Sequence, residues 1–294
     1  MSLSSALKDA LCTEDLWTLM RRRVPPIVAE YFVGGADEET TLRGNVKAFQ
    51  QTVLNVSGAT RLTQLDTTTT VLDHELAVPW YLSPVGSLRT LYPKGDAVAA
   101  RVAGNFGTVM GLSTLSGTPM EEVAQASSKP CWFQLYLCGG RETALRGISR
   151  AKDAGFSALV LTIDTGVSGQ RRVHERMKPL QVMHPWEGLT GQERLRWISR
   201  RLQLIPQMST RLPWLTDLIR DDGIMRFVNI IDADGEPMPF TDIGSQLAQS
   251  AVTWEDLSWI REAWGSDRPI IVKGVHCAED AQRAEDAGAE AVVW

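Results

Sequence analysis

The sequence predicts an α/β fold built from repeated strand–helix units, and three observations indicate it. From about residue 78, short apolar runs alternate with segments of helical pattern. Three predicted helices end in Ala-Gly and lead directly into an apolar run: RVAGNFGTVMGLS, AKDAGFSALVLTID and AEDAGAEAVVW. These runs are apolar on both faces, which is typical of a parallel sheet covered by helices. Repeated units of this kind form a (β/α)8 barrel or a doubly wound sheet.

The segment before residue 78 is predicted to be helical and rich in turns. A helix over 13–23 has Thr13 as its cap, acidic residues in its first turn and arginines in its last turn, a charge order that suits the helix dipole. A second helix over 27–32 is expected to stop at Gly34-Gly35 with a left-handed cap. A threonine-rich stretch around 67–70 follows.

The remainder is predicted to hold about six strands with helices between them. The strands are 78–83, 107–113, 131–137, 158–164, 269–275 and 290–294. The helices lie near 95–103, 119–126, 141–153, 253–264 and 278–287, and Gly104, Gly155 and Gly288 are the predicted helix stops.

The predicted domain organisation is a segment over 1–77 followed by a barrel over 78–294, with a long insertion at about 165–252. A complete barrel takes about 250 residues, and the last predicted strand reaches Trp294. The sequence therefore predicts an incomplete (β/α)8 TIM barrel that is shortened at its C-terminal end.

Composition excludes several other classes of protein. The chain of 294 residues carries 30 basic and 35 acidic residues, a net charge of −5, whereas nucleic-acid-binding domains are basic. Four scattered cysteines do not form a disulfide scaffold, and without Cys-x-x-Cys or His-x-x-x-His no metal site is predicted. No secretory leader and no apolar run of about 20 residues is found, so a cytoplasmic protein is expected.

Six blocks of sequence carry a family resemblance. They are EYFVGGADEETTLRGNVKAF (30–49), SPVGSL (83–88), GTVMGLST (107–114), WFQLY (132–136), AGFSALVLTIDT (154–165) and RPIIVKGVHCAEDA (268–281). In this order they resemble the FMN-dependent 2-hydroxy acid dehydrogenases and oxidases, a family that includes glycolate oxidase, lactate oxidase and mandelate dehydrogenase. The resemblance implies a barrel with FMN at the carboxyl ends of the strands, and oxidation of a 2-hydroxy acid by transfer of its α-hydrogen to flavin N5.

The residues that the resemblance assigns to the cofactor lie at predicted strand ends. They are Pro84, Val85, Gly86, Ser113, Gln134, Thr162 and Lys273. It places Lys273 beside flavin N1 and O2, where its charge stabilises the reduced ring; the alternative is a lysine that reaches solvent. Val85 replaces a more usual threonine, so only main-chain contacts carry over at that position.

The resemblance assigns the substrate to Tyr31, Tyr136 and Arg171, and it gives catalytic roles to Tyr136 and Lys273. Arg171 matches an arginine that binds a carboxylate with two hydrogen bonds, with Arg172 as the adjacent alternative. Core packing is the alternative for the two tyrosines. Leu115 stands where several oxidases have tryptophan, which favours a bulkier substrate. The family's general-base histidine would lie beyond Trp294, and no histidine of this chain is assigned to that role.

The predicted insertion contains an amphipathic pattern with Leu195, Ile198, Leu202 and Ile205 at helical spacing among arginines. One interpretation is a lid helix over the barrel mouth; the other is peripheral contact with a membrane through 194–215. A homo-oligomer is predicted for the complete protein. The alternatives to an active enzyme of this family are a non-catalytic remnant that binds flavin weakly and a different FMN barrel enzyme.

Overall fold

The chain divides into two compact units in a computed structural model that describes residues 7–294 except 57, 60, 62, 168, 173–189, 222, 224, 241 and 242. The helical unit comprises residues 1–63 and 169–221, and the α/β unit comprises residues 64–168 and 222–294. The domain boundaries expected from the sequence stay predictions. His174 and His184 lie outside the described residues.

The described helices are α1 (Thr13–Arg23), α2 (Pro26–Val33), α3 (Thr40–Gln51), α4 (Gly95–Asn105), α5 (Met120–Ala126), α6 (Gly140–Asp153), α7 (Gly191–Ser209), α8 (Leu212–Arg220), α9 (Ile243–Ala248), α10 (Asp256–Trp264) and α11 (Ala278–Asp286). The strands are β1 (Thr69–Val71), β2 (His74–Leu76), β3 (Gly111–Ser113), β4 (Trp132–Leu135), β5 (Ala158–Thr162), β6 (Arg226–Ile231), β7 (Pro237–Pro239), β8 (Ile270–Lys273) and β9 (Ala291–Val293).

Helix α1 has the predicted bounds, but the prediction of its cap was wrong. Cys12, not Thr13, is the N-cap residue. The Asp15 carboxylate accepts the backbone N–H groups of Leu11 at 2.9 Å and Cys12 at 3.3 Å, which lowers the pKa of Asp15. An acidic side chain three residues into the helix thus satisfies donors that the helix itself leaves unpaired.

Helix α2 ends at the predicted glycines, but not in the predicted conformation. Gly34 has a φ of −73°, so it is extended rather than left-handed. A Cβ added at Gly34 would lie 2.7 Å from the Glu30 carbonyl oxygen. Glycine is needed there because the chain passes close to the last turn of the helix.

Five parallel strands form the sheet of the α/β unit, in the order β3-β4-β5-β8-β9. This confirms the predicted α/β class and the five later predicted strands, each with shorter bounds. The first predicted strand, 78–83, was wrong, because only Leu82 bridges Met110. Pro79 and Pro84 flank that bridge and have no N–H to donate to a ladder.

Two of the three predicted helix stops are confirmed. Gly155 and Gly288 have φ angles of 84° and 87°. The prediction for Gly104 was wrong: it lies inside α4, and Gly107 takes the left-handed conformation after the helix, with φ 71°. A Cβ added at Gly104 would lie 2.7 Å from the Ser128 backbone nitrogen, so its role is close packing.

Alternation along the strands separates two apolar layers. One face of the sheet packs residues such as Leu112, Phe133, Leu159 and Val272 into the large core shared with the helices. The other face carries a smaller cluster of Leu76, Val109, Trp132, Ala158, Val160 and Ile271. Because side chains alternate with a period of two, Ser113, Gln134, Thr162 and Lys273 continue this second face toward the carboxyl ends of the strands.

Two hairpins were not predicted. Strands β1 and β2 pair in the threonine-rich stretch, and β6 pairs with β7 inside the expected insertion. The β6–β7 hairpin belongs to the α/β unit, where it contributes to a buried cluster of Leu115, Cys138, Met225, Phe227 and Ile230. This part of the expected insertion therefore helps to build the sheet's carboxyl edge.

No helix among the described residues combines the length and apolar character that crossing a membrane requires.

A buried carboxylate lies in the first turn of α4. Asp96 is fully buried, and its Oδ2 accepts the Thr118 hydroxyl at 3.1 Å. Burial raises the pKa of Asp96 to about 6. Below about pH 4 the folded and unfolded states both hold this proton, and between about pH 4 and 6 only the folded state does. Ionising Asp96 therefore lowers stability as pH rises through this window.

Asp96→Asn should remove that pH dependence, because the amide oxygen still accepts from Thr118 and carries no charge. We expect the free energy of unfolding to rise by about 2–3 kcal/mol above pH 7 and to change little near pH 4. Urea unfolding at both pH values measures the difference, and Asp267→Asn, at an exposed loop carboxylate, is the control. A gain that is equal at both pH values would contradict the assignment.

Candidate functional site

Three adjacent strands place a row of buried polar side chains at one edge of the sheet. The Ser113 hydroxyl donates to Gln134 Oε1 at 3.1 Å, and Gln134 Nε2 donates to Thr162 Oγ1 at 3.0 Å. The backbone N–H of Thr114 also donates to Gln134 Oε1, at 3.3 Å. Since its oxygen accepts twice, the Gln134 amide is oriented with its NH2 group toward Thr162.

Two donors of this row are left for a bound group. Gln134 has two amide hydrogens and gives one to Thr162. Over the residues that the structure describes, no acceptor is found for the Thr162 hydroxyl hydrogen. Both residues are almost fully buried, where an unpaired donor is costly. The carbonyl oxygens and ring nitrogens of an isoalloxazine are acceptors of the kind that such donors need, so these residues fit a flavin.

Lys273 ends β8 on the same face, in register with Thr162 on the neighbouring strand. Its Nζ lies 3.8 Å from Asp164 Oδ2, and both side chains are partly exposed. Gly274 follows with φ 96°, and a Cβ there would lie 2.7 Å from Asp164 Cβ. The lysine therefore ends its strand as a cation with one carboxylate nearby, rather than as a buried unpaired charge.

The turn predicted to meet the flavin is held against β3. A Cβ added at Gly111 would lie 2.8 Å from Pro84 Cγ, so glycine allows the turn to approach the strand. Ser87, after Gly86, is fully buried with a φ of 64°, and its N–H donates to the Leu115 carbonyl at 2.8 Å. Val85 is 41% exposed, so this turn reaches the surface of the α/β unit.

Tyr136 lies just past the end of β4. Its backbone N–H donates to Thr114 Oγ1 at 3.0 Å. The half-buried Tyr136 ring packs against the buried cluster that contains Leu115 and Phe227. Burial raises the pKa of the neighbouring Cys138 thiol to about 11, which keeps that thiol protonated and unreactive. Leu115, Met225 and Phe227 make the surroundings of Tyr136 apolar.

The structure brings Tyr31 and Arg171 together within the helical unit. Arg171 donates through Nη1 to the Tyr31 carbonyl, and its guanidinium carbon lies 5.4 Å from the centre of the Tyr31 ring. Arg172 instead pairs with Glu38 at 3.4 Å and Asp37 at 3.9 Å. Because Arg172 is already paired with carboxylates of this chain, Arg171 is the better candidate to bind the carboxylate of a substrate.

Four residues near the candidate site were not singled out in the sequence: Asp164, Gly274, Met225 and Phe227. Asp164 and Gly274 lie inside the predicted strands 158–164 and 269–275, but just past the observed ends of β5 and β8. A carboxylate and a glycine near these strand ends were therefore available signals. Met225 lies just before β6 and Phe227 lies within it, and both pack in the buried cluster beside Tyr136. No local pattern in the sequence points to that contact.

A family model described as FMN-dependent dehydrogenase matches residues 20–294. L-lactate dehydrogenase of Pseudomonas putida (strain GB-1) is 33% identical over 280 residues, which cover 93% of this chain and 68% of that protein. L-lactate dehydrogenase of Haemophilus influenzae (strain PittEE) is 32% identical over 276 residues, with the same coverage. Among solved structures, the monotopic membrane protein (S)-mandelate dehydrogenase has a TM-score of 0.79 and 28% identity, over 97% of this chain and 71% of that chain.

The chain belongs to the FMN-dependent dehydrogenase family. Its cofactor is FMN, as expected from the resemblance, and its α/β fold matches that of the solved family members. Membership of a family of oxidoreductases supports the main interpretation over a non-catalytic remnant or a different FMN barrel enzyme.

Proposed function

We propose that this chain binds the FMN ring at the carboxyl edge of its sheet and oxidises a 2-hydroxy acid to the 2-oxo acid. The buried row from Ser113 to Thr162, which ends beside Lys273, carries the proposal. It offers two unused donors and one cation on a single face of the sheet. When bound, FMN supplies the two-electron acceptor for the α-hydrogen of the substrate.

Each remaining role follows from the chemistry of the side chain. Gln134 and Thr162 donate to the ring, and the backbone of the turn at Pro84, Val85 and Gly86 contacts the edge of the ring. Lys273 stabilises negative charge that develops there on reduction. Arg171 binds the substrate carboxylate through its planar fork of donors, with Tyr31 beside it. Tyr136 contacts the substrate hydroxyl through its phenol group.

The apolar surroundings of Tyr136 support a substrate with a bulky apolar side chain. Leu115, Met225 and Phe227 provide no charged or hydrogen-bonding group for a polar side chain. Two relatives are named L-lactate dehydrogenase, and a structural relative is named (S)-mandelate dehydrogenase. Because the surroundings of Tyr136 are apolar, we propose that a 2-hydroxy acid of the mandelate type is preferred to lactate.

The test is anaerobic reduction of the FMN-reconstituted protein. Addition of (S)-mandelate should bleach the oxidised flavin spectrum with a larger second-order rate constant of reduction than addition of L-lactate, and one 2-oxo acid should form for each FMN that is reduced. (R)-mandelate is the control for specific binding. Failure to bind FMN, or bleaching by neither acid, would contradict the proposed function, and a preference for lactate would contradict the substrate class alone.

We also propose that the chain contacts membranes peripherally through residues 194–215. Leu195, Ile198, Leu202 and Ile205 are 69%, 40%, 58% and 56% exposed on one face of α7. Arg194, Arg196 and Arg201 are also exposed on this helix; the side chains of Trp197 and Arg200 lie outside the described part. An exposed apolar face with arginines around it suits an interface that contains anionic lipids. The relative with a monotopic membrane structure supports this proposal.

Replacing both Leu202 and Ile205 with Asp should lower binding to phosphatidylglycerol vesicles by more than about tenfold, a change of about 1.4 kcal/mol. Vesicle co-sedimentation measures the bound fraction. Phe106→Asp, at a residue of the α/β unit that is 65% exposed, is the matched control and should leave binding unchanged. Equal losses in both variants would show that the loss of vesicle binding is not specific to α7.

The homo-oligomer expected from the sequence stays a prediction.

A further inference from the structure

We propose that Asn229 and Asp96 are positioning residues that hold Thr118 from two sides, and through it the loop over residues 113–118. This loop carries Ser113 of the buried polar row and Leu115 of the buried apolar cluster beside Tyr136. The inference rests on the proposed function, because that function gives the loop its role in FMN binding. The effect of Asn229 and Asp96 on the loop can be measured without flavin.

Asn229 is a polar residue on the buried face of β6. It is 3% exposed, and Phe227 on the same face is apolar and buried. Its Nδ2 donates to the Thr118 carbonyl at 3.1 Å, and its Oδ1 accepts the Met120 N–H at 3.0 Å. A buried amide is costly unless it is paired, and both ends of this amide are paired with one short segment. The β6–β7 hairpin is thus fastened at Thr118–Met120.

Asp96 holds the same residue from helix α4. Its Oδ2 accepts the Thr118 hydroxyl at 3.1 Å. Ser116 completes the arrangement, because its hydroxyl donates to the Thr118 carbonyl at 3.1 Å and accepts the Thr118 N–H at 3.0 Å. All the polar groups of Thr118 therefore have partners.

Hydrogen bonds continue from Thr118 to the candidate flavin site. The Ser116 N–H donates to the Ser113 carbonyl at 3.2 Å, and the Leu115 N–H donates to the Ser113 hydroxyl at 3.1 Å. That hydroxyl in turn donates to Gln134. The Leu115 carbonyl accepts from Ser87, in the turn proposed to contact FMN. A shift at Thr118 is transmitted to both sides of the flavin site because a buried hydrogen-bond network has few alternative arrangements.

Asn229→Asp isolates the contact. The side chain keeps its shape and can still accept from Met120, but in its ionised form the second oxygen faces the Thr118 carbonyl and has no hydrogen to donate to it. Thr118→Val is the second variant, because it removes the hydroxyl bound by Asp96 and keeps the backbone carbonyl. Arg226→Gln, on the same strand, removes only an exposed pair with Glu236 and is the matched control.

The measurement is backbone hydrogen exchange of the flavin-free chain at Leu115 and Met120, followed by FMN affinity. In Asn229→Asp and Thr118→Val we expect exchange at Leu115 to be at least tenfold faster and the Kd for FMN to rise at least fivefold. Arg226→Gln should match the parent. Should Asn229→Asp not fold, Thr118→Val decides alone.

Faster exchange at Met120 with unchanged exchange at Leu115 would overturn the proposal, because Asn229 would then stabilise only the hairpin. Faster exchange at Leu115 with an unchanged Kd for FMN would overturn the link to the flavin site. A parent chain that does not bind FMN would contradict the proposed function, while exchange at Leu115 would still decide the positioning of the loop.

Discussion

Arg171→Met should lower kcat/KM for a 2-hydroxy acid by about two to four decades. A guanidinium makes two charge-assisted hydrogen bonds to a carboxylate, each contributing about 1.5–3 kcal/mol, and together their loss costs roughly 3–5 kcal/mol. Steady-state kinetics with (S)-mandelate measures kcat/KM, and the ratio between parent and variant gives the lost free energy of transition-state binding. The Kd for FMN should stay close to that of the parent, because Arg171 lies in the helical unit and its described contacts are with Tyr31.

The neighbouring arginine is the matched control for this experiment. Arg172 is half exposed and pairs with Asp37 and Glu38, and exposed pairs of this kind contribute at most about 1 kcal/mol. Arg172→Met should therefore leave kcat/KM almost unchanged. If Arg171→Met stays within about threefold of the parent, a change below about 1 kcal/mol, or if Arg172→Met has the larger effect, the assignment of the carboxylate site is wrong.

Lys273→Met should slow reduction of bound FMN by about two to three decades at saturating substrate, with a smaller change in KM. Removal of one group that stabilises charge developing in the transition state typically costs this much. Lys273 is the cation at the end of the polar row, with Asp164 at 3.8 Å. Anaerobic stopped-flow reduction measures the rate, and the reduction potential of the bound FMN should fall because the reduced ring loses its positive neighbour.

Lys94→Met is the control for the loss of a lysine charge. Lys94 is exposed at the start of α4 and pairs with Glu122 at 2.8 Å. We expect its reduction rate and potential to equal those of the parent. An unchanged potential in Lys273→Met would show that this lysine reaches solvent instead of the flavin.

Much of the sheet and of the candidate flavin row could be predicted from the sequence. Strand residues alternate between faces, and an apolar run that ends in a polar residue marks a strand end. Lys273 was singled out in this way, as a lysine that ends an apolar strand. The flavin roles of Ser113, Gln134 and Thr162 came instead from the family resemblance of the sequence blocks that contain them. The bounds of α1 were predicted from a local pattern, since its charges and its apolar spacing are local.

Predictions failed where a distant or competing contact decided the conformation. The segment 78–83 is apolar, but its prolines leave a single bridge at Leu82. Gly104 was expected to end its helix, but α4 ends at Asn105, and Gly104 instead allows close packing against Ser128. The cap of α1 moved to Cys12 because the Asp15 carboxylate reaches the preceding N–H groups.

The sequence by itself determined the α/β class, the family and the polar residues at the strand ends, because each depends on short, continuous patterns. Only the tertiary structure decided that Asn229 contacts Thr118, 111 residues away, and that the β6–β7 hairpin contributes to the buried apolar cluster beside Tyr136. It also decided that Asp164 faces Lys273. Such contacts depend on how separate elements pack, and periodicity within one element carries no information about its partner.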